Sequence, residues 1–332
     1  MQNYFIFSLQ ILTTVIIIVV GILALAAGII ALITKNKIKT KEKIEITNIN
    51  DKYKNLKNTL NNELLTKQEL KQIAKQEKEA DKLAKKQAKN NPSSTQKRIF
   101  VLNFIGDLRA SQAEELREEV TALLTIATPK DEVLVKIEST GGVIHGYGFA
   151  ASQLERIRSR NIPLIAAVDK VAASGGYMMA CVADKIIAAP FAIIGSIGVI
   201  AQLPNFNRFL KKHDIDFEQI MAGEYKRTLT LFGENTSKDR KKMQEEVTEA
   251  HNLFKKFVTT HRPSVNIDTV ATGEYWYGVR AEELRLVDEI ITSDDYLLRT
   301  SEKASIYTLT YSTKKSLFKK LGLCMQKAFT VI

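Results

Sequence analysis

The chain has 332 residues, a net charge of +11 and two cysteines. Two cysteines provide neither a disulfide framework nor a cysteine metal cluster, and we expect no metal and no cofactor. Residues 35–98 hold 18 Lys and Arg against 8 Asp and Glu, so nearly all of the net charge lies there. Such a basic linker differs from the basic face of a folded nucleic-acid-binding module, and nucleic acid is therefore not an expected partner.

The first 34 residues carry no charged side chain, and residues 5–33 are predominantly apolar. About 20 apolar residues suffice to span a bilayer, whereas a cleaved signal peptide would have a basic start and a shorter apolar core. We therefore expect a single transmembrane anchor over residues 1–34, with the lipid membrane as a partner. The lysines that follow favour a cytoplasmic location for the rest of the chain. Because long domains can override that rule, the side of the membrane stays open.

Residues 35–97 form a basic segment in which leucines recur at helical spacing, as in Leu56, Leu60 and Leu64. The apolar stripe is thin, which favours a solvated helix, a weak coiled coil or disorder over a folded domain. An Asn-Pro-Ser-Ser run at residues 91–94 ends the segment.

Residues 98–300 alternate between strand and helix. We predict strands over residues 99–105, 132–138, 163–169, 185–189, 197–201 and 286–291. We predict helices over residues 116–126, 143–160, 177–183, 238–260 and 281–284, the first of them after a capping box at Ser111. This alternation is typical of an α/β domain with a parallel sheet, flanking helices and ligands at the carboxyl ends of the strands.

The tail of residues 301–332 ends in a segment, residues 314–332, with apolar side chains on one helical face and lysines elsewhere. Such a basic amphipathic segment can lie on a membrane surface. It can equally pack against a neighbouring subunit, and the pattern does not separate the two.

Two glycine-flanked turns follow predicted strands. Gly141-Gly142 follows residues 132–138, and Ser174 with Gly175-Gly176 follows residues 163–169. Backbone N–H groups at such turns can hold an oxyanion, and a serine there can act as a nucleophile. Taken alone, each turn also has a plainer interpretation, as an ordinary βα turn and as a serine that caps a helix.

No histidine is placed to serve as a base for Ser174. His145 lies near the glycine turn but has no evident carboxylate partner, and the other three histidines lie in lysine-rich or helical surroundings. Lys226 follows a strand-like run over residues 217–221, and burial can lower the pKa of a lysine towards neutrality. By itself, Lys226 can also be one exposed lysine among many.

Together these motifs resemble the signal peptide peptidase A family of serine–lysine peptidases, and most closely its SohB-type inner-membrane branch. The resemblance covers residues 98–295, the anchor and the charged linker. It implies a ClpP/crotonase-like fold over residues 98–300 and a bacterial inner-membrane location. It also implies roles for individual residues: Ser174 as the nucleophile, Lys226 as the general base, Gly141 and Gly175 as oxyanion donors, and Ser196 as the hydroxyl that orients the lysine.

The resemblance implies a membrane-anchored serine endopeptidase that hydrolyses membrane-associated peptides, such as signal-peptide remnants or misfolded envelope proteins. It further implies a homo-oligomeric ring in which Lys226 need not lie near Ser174 of its own chain. One alternative is a catalytically silent membrane scaffold that binds peptides, against which the intact set of Ser174, Ser196 and Lys226 argues. Another is an acyl-CoA enzyme of the same fold, in which an anchor and a Ser–Lys pair are not expected.

Overall fold

The computed structural model describes Gly21, residues 42–90 and residues 97–313. Contacts divide the chain into two units, one of residues 44–311 and one of residues 1–43 with residues 312–332. The predicted anchor, apart from Gly21, and the amphipathic segment of residues 314–332 lie outside the described residues. Within the part of the chain that is described, no helix is long and apolar enough to cross a membrane.

The described strands form a larger and a smaller sheet. In chain order they are β1 (Glu42–Asn48), β2 (Arg98–Ile105), β3 (Glu132–Glu138), β4 (Leu164–Val168), β5 (Val171–Ala173), β6 (Lys185–Ala188), β7 (Ile193–Gly195), β8 (Tyr275–Tyr277), β9 (Glu289–Ile290) and β10 (Ser305–Thr313). The larger sheet has the order β1-β10-β2-β3-β4-β6-β9, and the smaller has the order β5-β7-β8. From β10 to β9 each neighbouring pair is parallel, as the alternating pattern predicts.

The described helices are α1 (Ile49–Leu64), α2 (Lys67–Asn90), α3 (Ala113–Leu124), α4 (Ile144–Arg158), α5 (Gly175–Ala180), α6 (Asn207–Lys212), α7 (Ser237–His261), α8 (Ile267–Val270), α9 (Gly278–Glu283) and α10 (Ser293–Ser301). The chain therefore has a mixed α/β architecture with a largely parallel sheet and flanking helices.

The central strands of the larger sheet are buried on both faces, as β2 illustrates. Phe100, Leu102 and Phe104 face the core that includes side chains of α3, α4 and α5. Ile99 and Val101 face a second cluster that includes side chains of α10. Burial on both faces explains why these strands have continuous apolar runs, and each fully buried large apolar side chain contributes about 1.5–3 kcal/mol.

Strand β1 and helix α1 lie within the segment predicted to be a linker, yet they join the sheet. The side-chain amide of Asn50 donates to the carbonyls of Ser301 (2.9 Å) and Ala304 (3.0 Å), and its oxygen accepts from the Ile306 N–H (2.7 Å). These bonds tie the start of α1 to the beginning of β10. A solvated helix, a weak coiled coil or disorder was predicted for this segment, whereas the strands β1 and β10 were not predicted.

Three local predictions are wrong. The strand-like run expected over residues 217–221 has no regular secondary structure. The strand expected over residues 197–201 lies instead at β7, because the chain turns at Ser196, which has a φ of +52°. The capping box expected at Ser111 is absent: α3 begins after Gln112 without a side-chain cap. Ser111 instead donates its N–H to the Asp107 carboxylate (2.8 Å) and belongs to the preceding turn.

Candidate active site

Ser174 and Ser196 lie side by side because each follows a strand of the smaller sheet. Strands β5 and β7 are parallel, and Ala173 is aligned with Gly195. The Ser174 N–H donates to the Gly195 carbonyl (2.8 Å). Since neighbouring strands lie about 4.8 Å apart, the structure brings the predicted nucleophile and the predicted lysine-orienting residue together.

The backbone of Ser174 is held in an unusual conformation, with φ +51° and ψ −118°. A non-glycine residue at such a φ costs about 1–3 kcal/mol, and such residues cluster at functional sites. Ser174 immediately precedes α5, but its side chain makes no capping hydrogen bond. Ser174 therefore occupies the cap position of α5 without capping the helix through its hydroxyl, for which no hydrogen-bond partner is found within the described part of the chain.

The glycine turn meets the Ser174 turn because the end of β3 pairs with β5. The Ser139 N–H donates to the Val171 carbonyl (2.9 Å), and the Ala173 N–H donates to the Ser139 carbonyl (3.0 Å). Gly141 follows with a φ of +90°, and a Cβ there would lie 2.7 Å from the Gly175 nitrogen. Both the conformation and the close approach require glycine at this position.

The amides of the two turns differ in whether they are already bonded. The Gly141 N–H donates to the Ser139 hydroxyl (3.0 Å). For the N–H groups of Gly142 and Gly175, no acceptor is found among the described residues. Gly142 and Gly175 also line the same cavity as Ser174, whereas Gly141 does not. Within the described ranges, the arrangement therefore offers two free N–H donors beside one free hydroxyl. The predicted oxyanion donors were Gly141 and Gly175, so the structure favours Gly142 in place of Gly141.

The cavity at Ser174 has a volume of about 200 Å³ and a mainly apolar lining. Its wall is built from the two turns, the segment after β7 and the helices α4, α5 and α7. Its lining residues are Gly142, Ile144, Gly148, Ser174, Gly175, Met178, Gly198, Val199, Ala250, Leu253, Phe254 and Phe257. A space of this size can receive one small or medium apolar side chain. No histidine is among the lining residues, so a base for Ser174 has to come from another residue type.

Lys226 lies on a different part of the chain, in a segment of residues 200–236 that we call the arm. Its side chain is exposed, and its N–H donates to the Gly223 carbonyl (3.2 Å). Among the contacts of the described residues, none joins Lys226 to Ser174. The structure of the single chain therefore brings Ser174, Ser196 and the glycine turns together, but not Lys226.

The arm is organised by its own contacts. The Phe206 N–H donates to the Leu231 carbonyl (2.7 Å), and the Asn207 side chain donates to the Phe232 carbonyl (2.8 Å). The rings of Phe206 and Phe217 both lie about 6 Å from the ring of Phe232. Lys226 is thus carried on a folded segment whose two ends are bonded to each other.

Comparison with known proteins identifies the family of the chain. Residues 1–154 match the sequence model of the N-terminal part of peptidase family S49, and residues 156–307 match that of peptidase family S49 itself. A relative from Buchnera aphidicola, named "Probable protease SohB", is 52% identical over 320 residues, which are 96% of this chain and 92% of the relative. The chain belongs to peptidase family S49.

Two further relatives of this S49 member are a second SohB-type protein and a more distant protein with another name. A "Probable protease SohB" from Haemophilus influenzae is 57% identical over 224 residues, which are 68% of this chain and 64% of that relative, less than two thirds of its length. A protein from Enterococcus faecium with the name of a signal peptide peptidase, SppA, is 32% identical over 170 residues, covering 50% of this chain and 48% of the relative. The resemblance drawn from the motifs is confirmed.

Proposed function

We propose that the chain is a serine endopeptidase in which Ser174 is the nucleophile and Lys226 the general base. The observation that carries the proposal is the free Ser174 hydroxyl beside the free N–H groups of Gly142 and Gly175, at an apolar cavity. Acyl transfer needs a nucleophile next to donors for a developing oxyanion. The parallel sheet with these two turns is also consistent with the ClpP/crotonase-like fold that the resemblance implies.

The reaction would run in two steps. Ser174 Oγ attacks a peptide carbonyl while its proton passes to the neutral amine of Lys226, and the N–H groups of Gly142 and Gly175 hold the oxyanion. The intermediate expels the amine product, which takes the proton back from Lys226, and leaves an acyl group on Ser174. Water, deprotonated by the same lysine, then attacks the ester, and Lys226 returns the proton to Ser174 Oγ as the acid product leaves. Gly141, which was predicted as an oxyanion donor, would instead shape the turn without contacting the oxyanion.

Lys226 would come from a neighbouring subunit of a homo-oligomeric ring. The support is the arm, whose apolar side chains are exposed: Ile200, Leu203, Phe206, Phe209, Ile215, Phe217, Ile220 and Met221. Ile220 is 97% exposed. Apolar patches of this kind mark interaction sites. Burial of the arm against a neighbour would cover these side chains, and it would also desolvate Lys226, which favours its neutral form. The hydroxyl of Ser196, beside Ser174, would then form a hydrogen bond with the amine, either as donor or as acceptor.

Membrane-associated peptides are the substrates we propose, with the anchor of residues 1–34 holding the enzyme at a bacterial inner membrane. The apolar cavity at Ser174 suits a small or medium apolar side chain, as found in signal-peptide remnants and in misfolded envelope proteins. One S49 relative carries the name of a signal peptide peptidase.

A fluorophosphonate probe tests the proposed nucleophile directly. The full-length protein in detergent is treated with the probe, and the labelled peptide is identified by mass spectrometry. We expect one label, on Ser174, which disappears in Ser174→Ala and persists in Ser152→Ala, whose hydroxyl bonds only within α4. A wild-type protein that stays unlabelled would contradict the proposal and favour a silent peptide-binding scaffold.

A further inference from the structure

A chain of hydrogen bonds runs beneath the glycine turn and ends at a tyrosine. Ser139 is 2% exposed, and its hydroxyl oxygen accepts the Gly141 N–H (3.0 Å). The same hydroxyl lies 2.5 Å from the Tyr147 phenol oxygen. Tyr147 is fully buried in α4, and its phenol donates to the backbone carbonyl of Asp107 (2.8 Å). Four groups are therefore connected in one line.

The chemistry of the groups sets the direction of this line. A carbonyl can only accept, so the single phenol proton of Tyr147 goes to Asp107. Tyr147 must then accept the hydroxyl proton of Ser139, and the oxygen of Ser139 is free to accept from Gly141. Burial raises the pKa of Tyr147, which keeps the phenol protonated and donating at neutral pH. Hydrogen bonds arranged donor to acceptor in sequence strengthen one another in a buried setting.

Tyr147 also contacts the other turn directly. A Cβ on Gly175 would lie 2.3 Å from Cγ of Tyr147, so the ring lies against the backbone of the residue after Ser174. A Cβ on Gly106 would lie 2.3 Å from the phenol oxygen and 2.4 Å from the Ser139 hydroxyl. The glycines thus make room for the tyrosine, which touches one turn through its ring and the other through Ser139.

We propose that Ser139 and Tyr147 are positioning residues that hold the two turns so that the Gly142 and Gly175 N–H groups converge in front of Ser174. This inference rests on the proposed function. Neither side chain lines the cavity, so neither touches the substrate. Their contribution is therefore to the geometry of the oxyanion donors, which acts on the transition state more than on the bound substrate.

The test is the kinetics of Tyr147→Phe and Ser139→Ala on an apolar fluorogenic peptide, with full-length protein in detergent. Tyr147→Phe removes one oxygen and keeps the ring against Gly175. We expect kcat to fall roughly 10–100-fold, because small displacements of positioned groups have effects of this size. KM should change by less than about threefold, since ground-state binding is untouched.

A transition-state analogue separates positioning from general loss of structure. A peptide aldehyde forms a tetrahedral adduct with serine, and its affinity should fall in both variants by the same factor as kcat/KM. Tyr296→Phe is the matched control, because it removes a phenol that donates to Glu132 (2.7 Å), outside the two turns. It should keep wild-type kinetics. The melting temperature and oligomeric state verify folding, and if Tyr147→Phe does not fold, Ser139→Ala carries the test.

The outcomes distinguish this inference from the proposed function. A wild-type protein without Ser174-dependent hydrolysis overturns the proposed function and this inference with it. The positioning role is overturned if wild type is active and a folded Tyr147→Phe or Ser139→Ala variant keeps its kcat or changes only in KM. The proposed peptidase function is unaffected by that result.

Discussion

The N–H of Ser174 donates to the carbonyl of Gly195 at 2.8 Å, and this bond sets the spacing between the two serines of the site. It joins the ends of β5 and β7, after which the backbones of Ser174 and Ser196 both take a positive φ. The Ser196 N–H is fixed in turn by the Glu274 carbonyl (2.6 Å). The backbones of both serines are therefore held in place by hydrogen bonds within or next to the smaller sheet.

Ser196→Ala should lower kcat/KM for peptide hydrolysis without abolishing it. Loss of a hydrogen bond to a charged group costs about 1.5–3 kcal/mol, or roughly 10–100-fold in rate. Steady-state hydrolysis across a pH series measures the effect, with Ser152→Ala as the hydroxyl-deletion control. Unchanged kinetics in Ser196→Ala would remove Ser196 from the site.

Subunits that lack different catalytic residues should complement each other if the lysine is supplied by a neighbour. Neither Ser174→Ala nor Lys226→Ala alone should hydrolyse peptide. When the two are co-expressed in equal amounts, about a quarter of the sites in a ring pair an intact serine with an intact lysine. Activity should therefore recover to about that fraction of wild type. Absence of recovery in a correctly assembled mixture would place both residues in one chain.

Gly148 should control which side chain the cavity accepts. It lies in α4 and lines the cavity, and a Cβ there meets no atom within 4 Å. Gly148→Leu should fill the space and raise KM for substrates with leucine before the cut, while alanine substrates are spared. Discrimination of about 1–3 kcal/mol is usual for such changes. Competing peptides with alanine and leucine measure it.

Gly148→Ala is the control for the helix itself. Alanine favours a helix over glycine by about 1 kcal/mol but adds only one methyl group. It should raise the melting temperature and leave the substrate preference close to wild type. A preference that is identical in Gly148→Leu and wild type would show that the cavity does not receive the substrate side chain.

Glu119 should make the fold less stable as the pH rises. Its side chain is 3% exposed, Oε1 accepts the Tyr311 N–H (2.8 Å), and no partner for Oε2 is found in the described part of the chain. Burial raises the pKa of Glu119 to about 7, the Tyr311 N–H opposes that rise, and the charge of Glu115 adds to it. The folded chain therefore keeps a proton that the unfolded chain releases near its ordinary pKa of 4.5.

The direction in which stability changes with pH follows from this difference in bound protons. Stability should fall between about pH 4.5 and pH 7 and stay level above, since both states are then ionised. Glu119→Gln should remove the fall. The melting temperature at pH 8 should be a few degrees below that at pH 5 in wild type, as expected for about 1–2 kcal/mol in a domain of this size. Equal pH dependence in Glu119→Gln would contradict this account.

The sequence predicts most of the sheet because burial leaves a clear pattern. Strand β3 matches its predicted range. Helix α7 is one residue longer at each end than predicted, and Thr236 caps its amino-terminal end. Strands β1 and β10 were missed because each lies beside a charged or lysine-rich segment. They are recognisable as strands only through pairing between residues far apart in the chain.

The glycine turn shows a different limit. Sequence places Gly141 and Gly142 at the site but cannot say which N–H is free, because that depends on the Ser139 hydroxyl and on Tyr147 beneath it. Lys226 shows a third limit of prediction from sequence. Its motif marks it by resemblance, yet its proposed position opposite Ser174 depends on a neighbouring subunit, which no pattern within one chain specifies.

The most direct test compares wild type, Ser174→Ala and Lys226→Ala in the cleavage of an unstructured protein and a signal-peptide mimic, all in detergent. Lys212→Ala, an exposed lysine of the same arm, is the matched control. We predict that wild type and Lys212→Ala cleave both substrates, while the two site variants assemble but do not cleave. Equal cleavage by all four proteins, or an inert wild type, would contradict the assignment of Ser174 and Lys226.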